Sequence, residues 1–91
     1  KGEIFVDLGA EKAIKNGKSL LPAGVTNISG KFARGDTVVL LSGDGKFLAR
    51  GLIGYSHSDV ELIKGCHSSM IQSILGHPGR SVLIHRNDMS L

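Results

Sequence analysis

Residues 16 to 36, "NGKSLLPAGVTNISGKFARGD", constrain the fold more than any other stretch of this chain. Gly17, Gly24, Gly30, Gly35 and Pro22 break any helix through it, yet Leu20, Leu21, Val25, Ile28 and Phe32 carry more apolar matter than a solvated loop holds. Such a segment must fold back over other apolar residues. The breakers recur along the whole sequence: 13 of its 91 residues are glycine, about twice the usual share of roughly 7%. A surplus of that kind in a small chain means tight turns between short strands rather than long helices.

The length allows one domain, able to bury roughly 60% of its unfolded surface and to fold without covalent staples. Cys66 is the only cysteine, so there is no internal disulfide, which agrees with a reducing, cytoplasmic setting. No run approaches the roughly 18 consecutive apolar residues of a membrane helix, and "KGEIFVD" is no signal peptide. The chain does not begin with Met, which points to a piece of a longer polypeptide. Its net charge of +3 permits a polyanionic partner, but 11 basic against 8 acidic residues do not demand one.

Alternation in "EIFVD" predicts a strand over 3–7. In "LGAEKAIKNG" the period changes: Ala10, Ala13 and Ile14 share one helical face, Glu11, Lys12 and Lys15 lie outside it, and Asn16-Gly17 stops a helix of about 8–16. Strands follow over 25–28, 37–41 and 46–53, the last two joined by a hairpin at Asp44-Gly45. Gly51 and Gly54 predict a bend or bulge that lets the sheet curl. "SDVE" reads as a capping box in which Ser58 accepts from the Glu61 amide, opening a helix of about 58–64 that ends at Gly65. "SMIQ" at 69–72 repeats the signal for a helix stopping at Gly76. "GHPGR" is a turn, and "SVLIHR" over 81–86 is a last strand too apolar for a bare edge. The opening segment must cross the end of this curled sheet, with Leu20, Leu21 and Val25 as the plug. Its outer rim of Gly17, Lys18, Ser19, Ala23 and Gly24 leaves backbone amides and one lysine open to a phosphate backbone.

The stretch from Val6 to Ser56 resembles a PUA domain, the small pseudo-barrel named for pseudouridine synthases and archaeosine transglycosylases. More narrowly, "GKSLLPAGV", "FARGD", "ARGLIGYS", "IKGCHSSMIQSILGH" and "VLIHRNDMSL" resemble the C-terminal PUA domain of bacterial glutamate 5-kinases. Residues 1–56 follow the general pattern and 57–91 the kinase-type part. The chain departs from that pattern at Cys66-His67, at Gly54 and in the order of Asn87-Asp88. The resemblance implies one mainly β domain with short helices (α+β), a pseudo-barrel of five to six strands with a helix after strand 1 and two short helices before the last strand. It implies a parent enzyme that transfers the γ-phosphoryl group of ATP, with Mg²⁺, to L-glutamate. The product, L-glutamyl 5-phosphate, is the first intermediate of proline biosynthesis, and proline inhibits the step. The amino-acid-kinase domain that does this chemistry is expected before residue 1, in a parent that forms homo-oligomers. The fragment itself is then a regulatory or interaction domain without catalytic residues, cofactor or metal.

The residues agree with that division. "GDGKFLARG" is the nearest approach to a phosphate loop, but Asp44-Gly45 sits in a hairpin with no helix N-terminus after it. His57, His67, His77 and His85 with Cys66 match no zinc spacing. Cys66 beside His67 lacks the third group of a nucleophilic triad, and Ser68-Ser69 reads as helix capping. The competing function is binding of structured RNA, which in RNA-modifying PUA proteins uses the first helix and the loop and strand after it. The resemblance maps that surface onto Lys12, Lys15, Lys18, Ser19, Leu21, Pro22, Ala23 and Gly24. The aromatics Phe5, Phe32, Phe47 and Tyr55 do not form a stacking platform in sequence, so an RNA would be gripped through backbone and shape.

Overall fold

A computed structural model describes residues 2–76 and 82–90. Strand β1 (Gly2–Val6) leads into helix α1 (Leu8–Lys15), followed by a 3-10 turn at Pro22–Gly24 and strand β2 (Val25–Gly30). Strands β3 (Thr37–Leu41) and β4 (Phe47–Leu52) form the hairpin at Asp44-Gly45. Helix α2 (His57–Ile63), a 3-10 turn at Ser68–Met70, helix α3 (Ile71–Leu75), a 3-10 turn at Arg86–Asp88 and the short strand β5 (Met89–Ser90) complete the order. The five strands form one mixed sheet in the order β2-β1-β3-β4-β5, with β1 and β3 parallel and every other pair antiparallel.

Alternation along the strands decides which face is covered. Ile4, Val6, Val38, Leu40 and Ala49 point inward and are fully buried, joined there by Ile14, Leu20, Val60, Ile63, Leu83 and Ile84. Phe5, Val39 and Leu41, together with Phe47, Arg50 and Leu52 on β4, fall on the outer face. Leu41 is buried at 9% exposure but stands outside the main core cluster, and the other five belong neither to that cluster nor to the partly buried residues packed on it. The register aligns Phe5 with Leu41 and Leu41 with Phe47, and Val39 with Arg50, while the Arg50 guanidinium lies 5.8 Å from the Phe47 ring centre.

Local signals account for the first helix. The Asp7 carboxylate accepts from the Ala10 amide at 2.8 Å, and the chain turns off α1 at Gly17, whose φ is +76°. Several other expectations need correction. The cap of α2 is Ser56, whose hydroxyl accepts from the Asp59 amide at 3.4 Å, rather than Ser58. The helix starts earlier because the His57 amide donates to the Phe32 carbonyl and its ring Nδ1 lies against the Phe32 backbone, anchoring that turn. Nor does Ser69 cap a helix: its amide donates to His67 Nδ1, and α3 begins only at Ile71 after a 3-10 turn.

The bulge lies one strand turn earlier than Gly51. Leu40 faces Ala49 while Leu41 faces Phe47, leaving Leu48 as the extra residue, packed on the core. Gly51 and Gly54 instead receive the C-terminal segment. A Cβ on Gly51 would stand 2.9 Å from the Asp88 carbonyl oxygen, and the Gly54 amide donates to Leu83 at 2.8 Å. Among the described residues the expected last strand is reduced to one bridge, between Leu20 and Ile84, because Pro22 ends the pairing segment opposite it. Strand β5 covers the edge of β4 in its place. Ser81 and the turn expected over 77–80 lie outside the described residues.

Candidate functional site

The crossing from α1 to β2 is held by four backbone hydrogen bonds from three segments. Leu20 donates to Ile84 and accepts from Leu83, Pro22 accepts from the Gly65 amide at 2.8 Å, and Gly24 accepts from the Asp7 amide at 2.9 Å. Leu20 and Val25 are buried beneath it, as a plug requires, whereas Leu21 is 46% exposed and is not part of the plug. Consecutive residues of this extended stretch point to opposite sides, so only one of the two leucines reaches the core.

Leu21 instead stands at the rim of a groove of about 250 Å³ between the crossing and α1. Ala10 and Ala13 line one wall, and Ser19, Ala23 and Gly24 help line the other. Small side chains on both sides keep the groove open. Pro22 is buried under the crossing, and the Ser19 hydroxyl accepts from the Arg86 amide at 3.0 Å. Thus the crossing brings Ser19, Leu21, Ala23 and Gly24 together, while buried Pro22 makes the turn and ties it to Gly65.

Lys12, Lys15 and Lys18 all project to solvent around α1. They are not equivalent. Lys15 pairs with Glu11 at 3.1 Å, and among the described residues no ion pair engages Lys12 or Lys18. The expected open amides are largely engaged: those of Gly17 and Lys18 donate to Ile14 and Ala13, and those of Leu20 and Gly24 to Ile84 and Leu21. A phosphate on this rim would therefore meet lysine side chains rather than a nest of free backbone donors.

The hairpin at Asp44-Gly45 is a closed turn. Its Gly45 and Lys46 amides donate to the Ser42 carbonyl and hydroxyl, and Ser42 in turn bonds the Asp44 carboxylate. That hydrogen bond holds the Asp44 carboxyl below its usual range. The described histidines serve local structure as well: Nδ1 of His57, His67 and His85 lies against the backbone amides of Phe32, Ser69 and Asn87. Among the described residues no three His, Cys, Asp or Glu side chains gather for a metal ion. Half-buried Cys66 sits in the turn after α2, and His77 lies outside the described residues.

The curled mixed sheet with a helix after its first strand is the architecture of a known domain type, and the PUA domain model matches residues 2–75. The chain belongs to the PUA domain family. Over all 91 residues it is 55% identical to a glutamate 5-kinase of Dinoroseobacter shibae, and over 89 residues 58% identical to one of Paracoccus denitrificans. This PUA domain spans about a quarter of the length of these curated relatives, 25% and 24% respectively. Among solved structures it resembles a PUA domain from Aeropyrum pernix K1 crystallised as a tartrate complex, with 27% identity and a TM-score of 0.68 over 97% of this chain and 45% of that one. It shares the fold alone with a chain of the archaeal box H/ACA sRNP complex, at 19% identity and a TM-score of 0.64, covering 92% of this chain and 22% of that one.

One surface escaped the reading of the sequence, the outer face of the sheet around Phe47. Its signal was present in "TVVLL", where Val39 and Leu41 are as apolar as the inward Val38 and Leu40, as in a strand covered on both faces.

Proposed function

We propose that this PUA domain is the non-catalytic C-terminal module of a glutamate 5-kinase, with a regulatory or interaction role beside an amino-acid-kinase domain in the same chain. The carrying observation is identity of 50–58% with glutamate 5-kinases over 97–100% of this chain, including the part beyond residue 75 where the general PUA match stops. The parent then phosphorylates L-glutamate with ATP and Mg²⁺ in the cytoplasm, in a homo-oligomer. No residue of this domain is assigned to ATP, Mg²⁺ or glutamate, because phosphoryl transfer needs a phosphate cradle, a cationic clamp and a metal carboxylate together. The nearest Gly-rich stretch has its donors engaged within its own turn.

The test is to assay the gene's complete polypeptide beside the 91-residue domain for ATP-dependent formation of L-glutamyl 5-phosphate. Turnover by the complete chain and none by the domain is expected. Turnover by the isolated domain that a substitution within it abolishes, or none by the complete chain, would reject the assignment. A second reading, recognition of structured RNA through backbone and shape, is favoured by the exposed Lys12 and Lys18, on and just after α1, which make no ion pair among the described residues.

A further inference from the structure

The inner face of the sheet is covered by the helices and by the segment around Leu83 and Ile84, but its outer face carries apolar side chains that the described chain covers only in part. Phe47 and Leu52 are 48% and 47% exposed. Phe5 and Val39 are half-buried between them, and Leu41 is buried there outside the main core cluster. Arg50 lies beside the Phe47 ring within this strip. Val39 and Leu41 run along its middle, with Glu3 and Arg50 on either side of Val39, and an apolar centre with an aromatic side chain and a charged rim is the composition of an interface.

The position of the chain entry identifies the occupant. Gly2 is in register with Val38, and Val38 with Gly51, so the next row of the sheet on that side holds Thr37 and Leu52. A polypeptide leading into β1 therefore enters on the side of Thr37, one strand across from Leu52, at the margin of the apolar strip. The curated relatives are about four times as long as this chain, so a large domain tethered there is held at high local concentration over the strip, and a modest interface suffices to dock it. The strip runs from Leu52 at this end to Phe47 in the row of Phe5 and Leu41, and the groove beside α1, next to Asp7, lies beyond its far end.

We propose that the outer sheet face centred on Phe47 and Leu52 is the docking surface for the domain that precedes Gly2 in the same polypeptide. This rests on the reading above, that the domain is a C-terminal piece of a longer kinase. Arg50, next to Phe47, favours an acidic or carbonyl-rich partner segment. Docking there would leave the groove and the lysines around α1 open.

Thiol labelling of the complete polypeptide tests it. In a Cys66→Ser background, Phe47→Cys and Leu52→Cys are compared with Leu62→Cys, a control on α2 that is 58% exposed. Maleimide labelling at 47 and 52 is expected to be at least tenfold slower in the complete chain than in the 91-residue domain, with position 62 unchanged. Hydroxyl-radical oxidation of Phe47 in the unsubstituted chains gives the same comparison without relying on a variant to fold. Equal reactivity in both forms overturns the proposal. Protection lost on dilution also overturns it and assigns the face to a second copy, and equal slowing at position 62 overturns it as general occlusion. A complete chain that protects Phe47 but phosphorylates no glutamate rejects the kinase assignment while docking stands; an active chain with Phe47 unprotected does the reverse.

Discussion

Gly24 packs so closely against α1 that a Cβ on it would stand 2.5 Å from the Cβ of Ala10. Helix and crossing are locked there by the adjacent bond from the Asp7 amide to the Gly24 carbonyl. Gly24→Ala is therefore expected to destabilise the domain by about 1–3 kcal/mol, as overpacking does. Urea unfolding measures this, and a variant within about 0.5 kcal/mol of the parent would mean that the crossing lifts off the helix freely.

The two adjacent leucines of the crossing should behave oppositely. Leu20 is 1% exposed and bridges to Ile84, so Leu20→Ala is expected to cost about 2–5 kcal/mol. Leu21→Ala, at the groove rim, should stay within about 0.5 kcal/mol. Paired thermal melts decide it; equal losses at both positions would place Leu21 in the core after all.

The start of α2 can be checked in the same way. Ser56→Ala removes the hydroxyl that accepts from Asp59 and should cost about 1 kcal/mol. Ser58→Ala, within the first turn and exposed, should be neutral or slightly stabilising, because alanine is the better helix former. A larger loss at position 58 than at 56 would restore the capping box expected from "SDVE".

RNA binding through the α1 surface would be governed by few charges. With Lys15 engaged by Glu11, Lys12 and Lys18 carry any phosphate contacts, and log K against log salt should have a slope of about 2 or less in magnitude. We expect no more affinity for a structured RNA than a mildly basic protein shows. Submicromolar binding near physiological salt, lost when Lys12, Lys15 and Lys18 are all neutralised, would favour the RNA reading over the regulatory one.

Where a structural signal is contained within a few residues, it was legible before any coordinates. The change from period 2 in "EIFVD" to period 3.6 in "AEKAIK", the stop at Asn16-Gly17 and the turn at Asp44-Gly45 each depend on neighbours in sequence, and each lies where expected. Ser56 and Ser58 mark the limit of that method. Both precede a helical run with suitable spacing, and the choice between them is made by Phe32, which anchors His57 from 25 residues away. The strand expected in "SVLIHR" failed for a similar reason, since the residue that bridges to it among the described residues, Leu20, lies two residues before a proline.

The candidate surface divides along the same line. Sequence by itself determined the family, the order of elements up to β4, and the residue types that ring α1, because these follow from local pattern and motif. Tertiary structure alone decided that Leu20 and not Leu21 fills the core, that Lys15 is paired while among the described residues Lys12 and Lys18 are not, and that the amides of Gly17, Lys18 and Gly24 on the rim are already engaged. It also brought Phe5, Leu41 and Phe47 into one row of the sheet. Those relations are set by strand register and by contacts between residues far apart in the chain, which no single stretch of sequence contains.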